Sequence, residues 1–84
     1  MKKTITYPTQ GTCSQAVIVT VDEQTIVEAS FVGGCHGNTQ GIAALMRGMQ
    51  VEEAIARLEG IDCRGRGTSC PDQLARALRQ ALNE

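Results

Sequence analysis

Four cysteines are the residues in this 84-residue chain with the most chemistry to offer: Cys13, Cys35, Cys63 and Cys70. Thiolates bind soft and borderline metals tightly, and they are also the nucleophiles of disulfide exchange. None of the four forms a C-x₂-C pair, so the commonest zinc spacing is missing. Position says more than spacing. Cys13 precedes the apolar run "AVIVTV", Cys35 sits in the glycine-rich "GGCHGN", Cys63 in the loop "IDCRGRGTS", and Cys70 opens "CPDQLARAL". All four fall in loops or at helix starts, away from the apolar stripes where an inert cysteine packs as a small hydrophobe.

A metal site of four thiolates is the leading expectation, with zinc as the ion and an iron–sulfur cluster as the alternative. A reactive or redox dithiol, and unrelated structural thiols, remain open beside it. Cys35 and Cys70 each adjoin a predicted helix N-terminus, where the helix dipole and free N–H groups favour a thiolate. His36 is a further candidate ligand, although a lone loop histidine more often faces solvent. Asp72 reads first as a helix-capping carboxylate and second as an outer partner of a metal-bound group. The glycines of "GGCHGN" do not spell a dinucleotide fingerprint, and the chain contains no P-loop and no Ser/His/Asp set.

These residues must be carried by strands and helices that the periodicity supplies. Residues 16–21 and 25–32 read as two strands joined by the polar turn Asp22-Glu23-Gln24, with Val27, Ala29 and Phe31 on one face. Residues 3–7 add a third strand, ended by Pro8. An antiparallel hairpin of the two longer strands returns Cys13 and Cys35 to one end of the sheet. The period then changes to 3.6. Ile42, Leu45, Met46 and Met49 predict a helix with Asn38 as its N-cap and Gly48 at its end. Val51, Ile55 and Leu58 predict a second helix, closed by Gly60. Leu74, Leu78 and Leu82 predict a third, starting at Cys70 or Pro71, with Ser69 and Asp72 in capping-box spacing. The expected fold is a single α+β domain over residues 1–84: a small three-stranded antiparallel sheet followed by three helices on one face.

Composition narrows the function. A chain this short buries only about 60% of its unfolded surface, so it benefits from a metal, a disulfide or a partner subunit. Tyr7 and Phe31 are the only aromatic residues, so the core must be aliphatic. Eight basic and nine acidic residues give a net charge of −1, which excludes the footprint of a nucleic-acid binder. Arg64 and Arg66, with Arg76 and Arg79 beyond them, form a local basic cluster that reads first as solvated charge; nucleotide binding by the glycine loop with Arg64 and Arg66 is the alternative. No apolar run reaches membrane-spanning length, and "MKKTITYPTQG" does not read as a signal peptide, so a cytoplasmic protein without membrane contact is expected.

The motif "TSCPDQLARAL", with "GTCSQAV", "GGCHGN" and "GIDCRGRGTSCPDQLA", resembles the stand-alone TSCPD domains, and the likeness runs over nearly the whole chain. The same domain stands at the C-terminus of adenosylcobalamin-dependent ribonucleotide reductases. The resemblance therefore implies an accessory module of deoxynucleotide synthesis, with a ribonucleotide reductase or another protein as partner. Eighty-four residues cannot hold the reductase barrel, so the label ribonucleoside-diphosphate reductase would describe the partner's chemistry. A looser similarity links Cys13, Cys35 and Cys70 to the NifU-like iron–sulfur scaffold domains and implies that fold. Those scaffolds place a His before the last cysteine and an Asp two residues after the first. Here Ser69 and Gln15 stand in those places, and Cys63 offers a fourth thiol for a closed site. A thiol redox partner using Cys63 and Cys70, an iron–sulfur scaffold or carrier, and a homodimer are the remaining expectations.

Overall fold

The computed structural model describes residues 2–12, 14–34 and 36–83, without the side chain of His36. Three strands come first: β1 (Lys2–Pro8), β2 (Ser14–Asp22) and β3 (Thr25–Gly33). Three helices follow: α1 (His36–Met46), α2 (Val51–Leu58) and α3 (Cys70–Asn83). The strands form one antiparallel sheet in the order β1-β2-β3. This is the α+β fold expected, with each strand slightly longer than its apolar run.

β2 lies in the centre because alternate valines give it a fully apolar face: Val17 and Val19 are completely buried and Val21 nearly so. β1 is an edge strand, so Pro8 withdraws no N–H from a central ladder. On the opposite face the Thr4 and Thr20 hydroxyls meet across the strands at 2.8 Å.

β3 departs from the expected alternation. Val21 pairs with Ile26 and Thr20 with Glu28, so Val27 is an extra residue in a β-bulge. The bulge resets the parity. Ile26 is fully buried and Val27 only half-buried, while Ala29 and Phe31 keep the inward side. Placing Val27 on the core face is thus corrected to Ile26.

α3 packs on β1 and β2, α1 packs on β3, and α2 packs on α3. One aliphatic core runs through all six elements, with Tyr7 and Phe31 at its margin. In α3 the core face is Leu74, Ala77, Leu78 and Ala81. Leu82, expected in the stripe, is 40% exposed, because Ala81 already fills that turn against the sheet. α1 starts at His36, so Asn38 lies inside its first turn instead of capping it. Its packed face is Thr39, Ala43 and Met46, and Leu45 is left 73% exposed on the far side. The helix turns its narrow Ala43 side to the strand, which rotates Leu45 outward. Gly48 ends α1 with φ +85° and donates its N–H to the Ile26 carbonyl, tying the segment before α2 to β3.

Candidate functional site

The signature "TSCPDQ" folds into a polar lock at the start of α3. Ser69 is the N-cap: its Oγ accepts the Asp72 N–H at 3.1 Å, and its carbonyl accepts the Gln73 N–H at 2.8 Å. Cys70 is the first helical residue and Pro71 the second, where a missing N–H costs nothing because that group has no partner within the helix. Asp72 does not fold back only on its own helix. Its carboxylate accepts the Gly60 N–H at the end of α2 at 2.8 Å, accepts the Thr68 hydroxyl, and pairs with Arg76 at 3.1 Å.

Burial pushes the Asp72 carboxyl up, but the Thr68 and Gly60 hydrogen bonds and the Arg76 charge outweigh it. The group therefore sits below its ordinary value. Gln73 completes the lock. Its Nε2 donates to Thr68 Oγ1 at 2.9 Å, and its Oε1 accepts the Gln10 N–H at 3.2 Å. Thr68, Ser69, Asp72 and Gln73 are all buried. Among the described residues no buried side-chain nitrogen or oxygen lacks a partner. Four of the six signature side chains are thus consumed in holding the helix start, and Cys70 is the one with sulfur chemistry left to offer.

Cys70 is half-buried, and its Sγ lies 3.3 Å from the Oγ of buried Ser14. Ser14 opens β2 and pairs in register with Gly33 at the end of β3. A second approach fixes the same corner. Gly34 has φ +87°, and a Cβ there would stand 3.2 Å from the Ser14 Cβ, so this backbone contact needs glycine. The loop before β2 is bound in as well: Thr9 donates to the Ser14 carbonyl at 2.6 Å, and the Thr12 and Ser14 hydroxyls meet at 2.9 Å. The end of β3, the start of β2 and the start of α3 therefore converge. Cys13 and Cys35, which adjoin Ser14 and Gly34 in the chain, lie outside the described residues.

Cys63 is exposed in the loop between α2 and α3. The Asp62 carboxylate accepts the N–H groups of Gly65 and Gly67, which folds this loop back on itself. The Cys63 N–H donates to the Thr68 carbonyl at 3.0 Å, tying the loop to the polar lock. Cys63 is a free thiol, whereas Cys70 is in contact with Ser14. Among the described residues no three His, Cys, Asp or Glu side chains are grouped as a metal ion needs.

The basic cluster is divided by ion pairing. Arg79 holds Glu59 through two contacts of 2.5 and 2.9 Å, and the hydrogen bond from Arg79 holds the Glu59 carboxyl below its usual range. Arg76 belongs to Asp72. Arg64 and Arg66 remain exposed on the loop. Ser14, Thr68 and Gln73 escape the sequence reading. Gln73 leaves one trace there: a polar residue next to Leu74 and four before Ala77, on the side of the helix that faces the core.

Fold and site together define a small α+β module that presents a thiol at a rigidly capped helix start. The chain belongs to the TSCPD domain family, whose model matches residues 1–82. That membership supports a ribonucleotide-reductase-associated module. No curated protein and no solved structure matches the chain. Among the described residues no helix is long and apolar enough to cross a membrane.

Proposed function

We propose that this TSCPD domain is an accessory module for a ribonucleotide reductase. In this reading it carries a closed centre of four thiolates, Cys13, Cys35, Cys63 and Cys70, that binds zinc. The observation that carries the reading is the Ser14–Cys70 contact beside Gly34. It brings a half-buried thiol at a helix start to the chain neighbours of two further cysteines. The donor set suits the ion, since thiolate ligands select zinc or iron–sulfur chemistry. A closed zinc site supplies folding free energy and no reaction of its own, which suits a short chain with an aliphatic core.

The protein's own groups prepare the site. The Ser69 cap and the Asp72 clamp fix the helix start, and the Ser14 hydroxyl is placed to donate to the Cys70 sulfur. Hydrogen bonds of this kind orient a ligating group and tune its basicity. A cytoplasmic setting, where thiols stay reduced, fits the same reading. Metal analysis of protein purified without oxygen tests it. One zinc per chain is expected. No metal, with four freely titrating thiols, overturns it, and a visible chromophore after reconstitution with iron and sulfide replaces zinc with a cluster.

A second reading rests on the placement of Cys63, exposed, and Cys70, half-buried, at the two ends of a folded-back loop. In that reading they are a dithiol exchanging with a redox partner of the reductase, and a disulfide that cycles with thioredoxin replaces the metal reading. Nucleotide binding by the glycine loop with Arg64 and Arg66 would draw no help from Arg76 and Arg79, which already hold carboxylates.

A further inference from the structure

We propose that the groove between β3 and α1 binds an extended peptide segment of a partner protein by strand addition. The groove has a volume of about 410 Å³. Its apolar lining includes Ala29, Phe31, Ala43 and Ala44, and Glu28 and Arg47 supply its charges.

The backbone of β3 names the occupant. In an antiparallel sheet alternate residues turn their N–H and C=O groups away from the neighbouring strand. β3 is an edge strand, so those groups face the groove side. At its start they are satisfied: the Ile26 N–H donates to the Met49 carbonyl at 2.9 Å, and the Ile26 carbonyl accepts the Gly48 N–H at 2.7 Å. From Glu28 to Phe31 no such backbone partner exists among the described residues. An unpaired strand edge beside a helix is a template for one more strand, and about four residues of partner would span the roughly 13 Å of it.

A second copy of this chain fits poorly. Among the strands, α1 packs chiefly on β3. Paired strands lie about 4.8 Å apart, whereas packed helices need about 8–10 Å, so joining two β3 edges drives two α1 helices into the space of one. A bare peptide strand brings no helix with it. Small alanines on the wall leave room for β-branched or aliphatic side chains at alternate positions. Glu28 and Arg47 are exposed and make no ion pair among the described residues. They favour a partner strand with a cation facing the first and a carboxylate facing the second.

The test is selection of a phage-displayed library of random eight-residue peptides on the immobilised protein. Hydrogen exchange of the protein with a selected synthetic peptide follows. Enriched peptides should alternate apolar residues and carry an acid, and the edge-facing amides between Glu28 and Phe31 should slow at least tenfold. Ala44→Trp fills the groove from an exposed helix position, so the fold survives, and it should weaken binding at least tenfold. Arg47→Glu should remove the preference for an acid. No enrichment, protection confined to other amides, or binding indifferent to Ala44→Trp overturns the proposal. So does a dimer in sedimentation that Ala44→Trp dissociates, which assigns the groove to a second copy.

Discussion

The hydroxyl of Ser14 stands 3.3 Å from the sulfur of Cys70, joining the first residue of the central strand to the first residue of the last helix across 56 positions of chain. If Cys70 binds metal as a thiolate, it can only accept in this contact, so Ser14 must donate. Ser14→Ala should then lower zinc affinity roughly 10–100-fold with the fold retained. Competition with a chromogenic chelator measures this, and an unchanged affinity removes Ser14 from the site.

Removing the metal should destabilise the whole domain, not one loop. Chelation under reducing conditions is expected to lower the melting temperature by at least ~10 °C, since 1 kcal/mol corresponds to roughly 4–8 °C in a domain this small. Cys70→Ser should reproduce the shift without chelator. Two identical melting curves for loaded and chelated protein would argue against a structural centre.

Asp72 binds two segments to its helix, so truncating it leaves the Gly60 N–H and the Thr68 hydroxyl without their acceptor. Asp72→Ala should cost about 2–4 kcal/mol in urea unfolding. Asp72→Asn keeps one acceptor and should cost about 1–2 kcal/mol. Equal stability of all three proteins would show that the clamp contributes nothing.

The same carboxyl sets an acid limit. Its folded value lies below the unfolded one, about 3.9, so its contribution is complete above that pH. Stability should fall as the pH drops from about 4 through the depressed folded value, because the unfolded chain then binds the proton more readily. Asp72→Asn should flatten this part of the pH profile. The chelated protein is the sample to measure, so that thiolate protonation does not enter.

The two leucines that share a predicted stripe on α3 should behave differently. Leu78 is fully buried and Leu82 is 40% exposed. Leu78→Ala should cost about 2–5 kcal/mol, while Leu82→Ala should stay within about 0.5 kcal/mol. Chemical denaturation separates them, and a large loss at Leu82 would mean that its side chain is packed despite its exposure.

The sequence by itself determined the elements, and with them Cys63 in a loop and Cys70 at a helix start. Alternation at period 2 marked β2, the change to period 3.6 marked α2 and α3, and Ser69, Gly48 and Gly60 marked helix ends, because these signals act between residues a few positions apart. Antiparallel pairing of β2 and β3 also followed; the return of Cys13 and Cys35 to one end of the sheet falls outside the described residues, while nearby Ser14 and Gly33 pair in register. Tertiary structure alone decided the rest. The bulge at Val27 exchanged one core residue for another, since bulge parity depends on what the facing strand and helix can bury. Leu45 and Leu82 turned outward because the small residues Ala43 and Ala81 allowed closer packing. Asp72 looked like a local cap, yet its carboxylate holds the Gly60 N–H, twelve residues away. The Ser14–Cys70 contact and the open edge of β3 likewise join segments far apart in the chain. Local periodicity specifies which residues form a helix or strand; which of its side chains meet another element is fixed only when the elements pack.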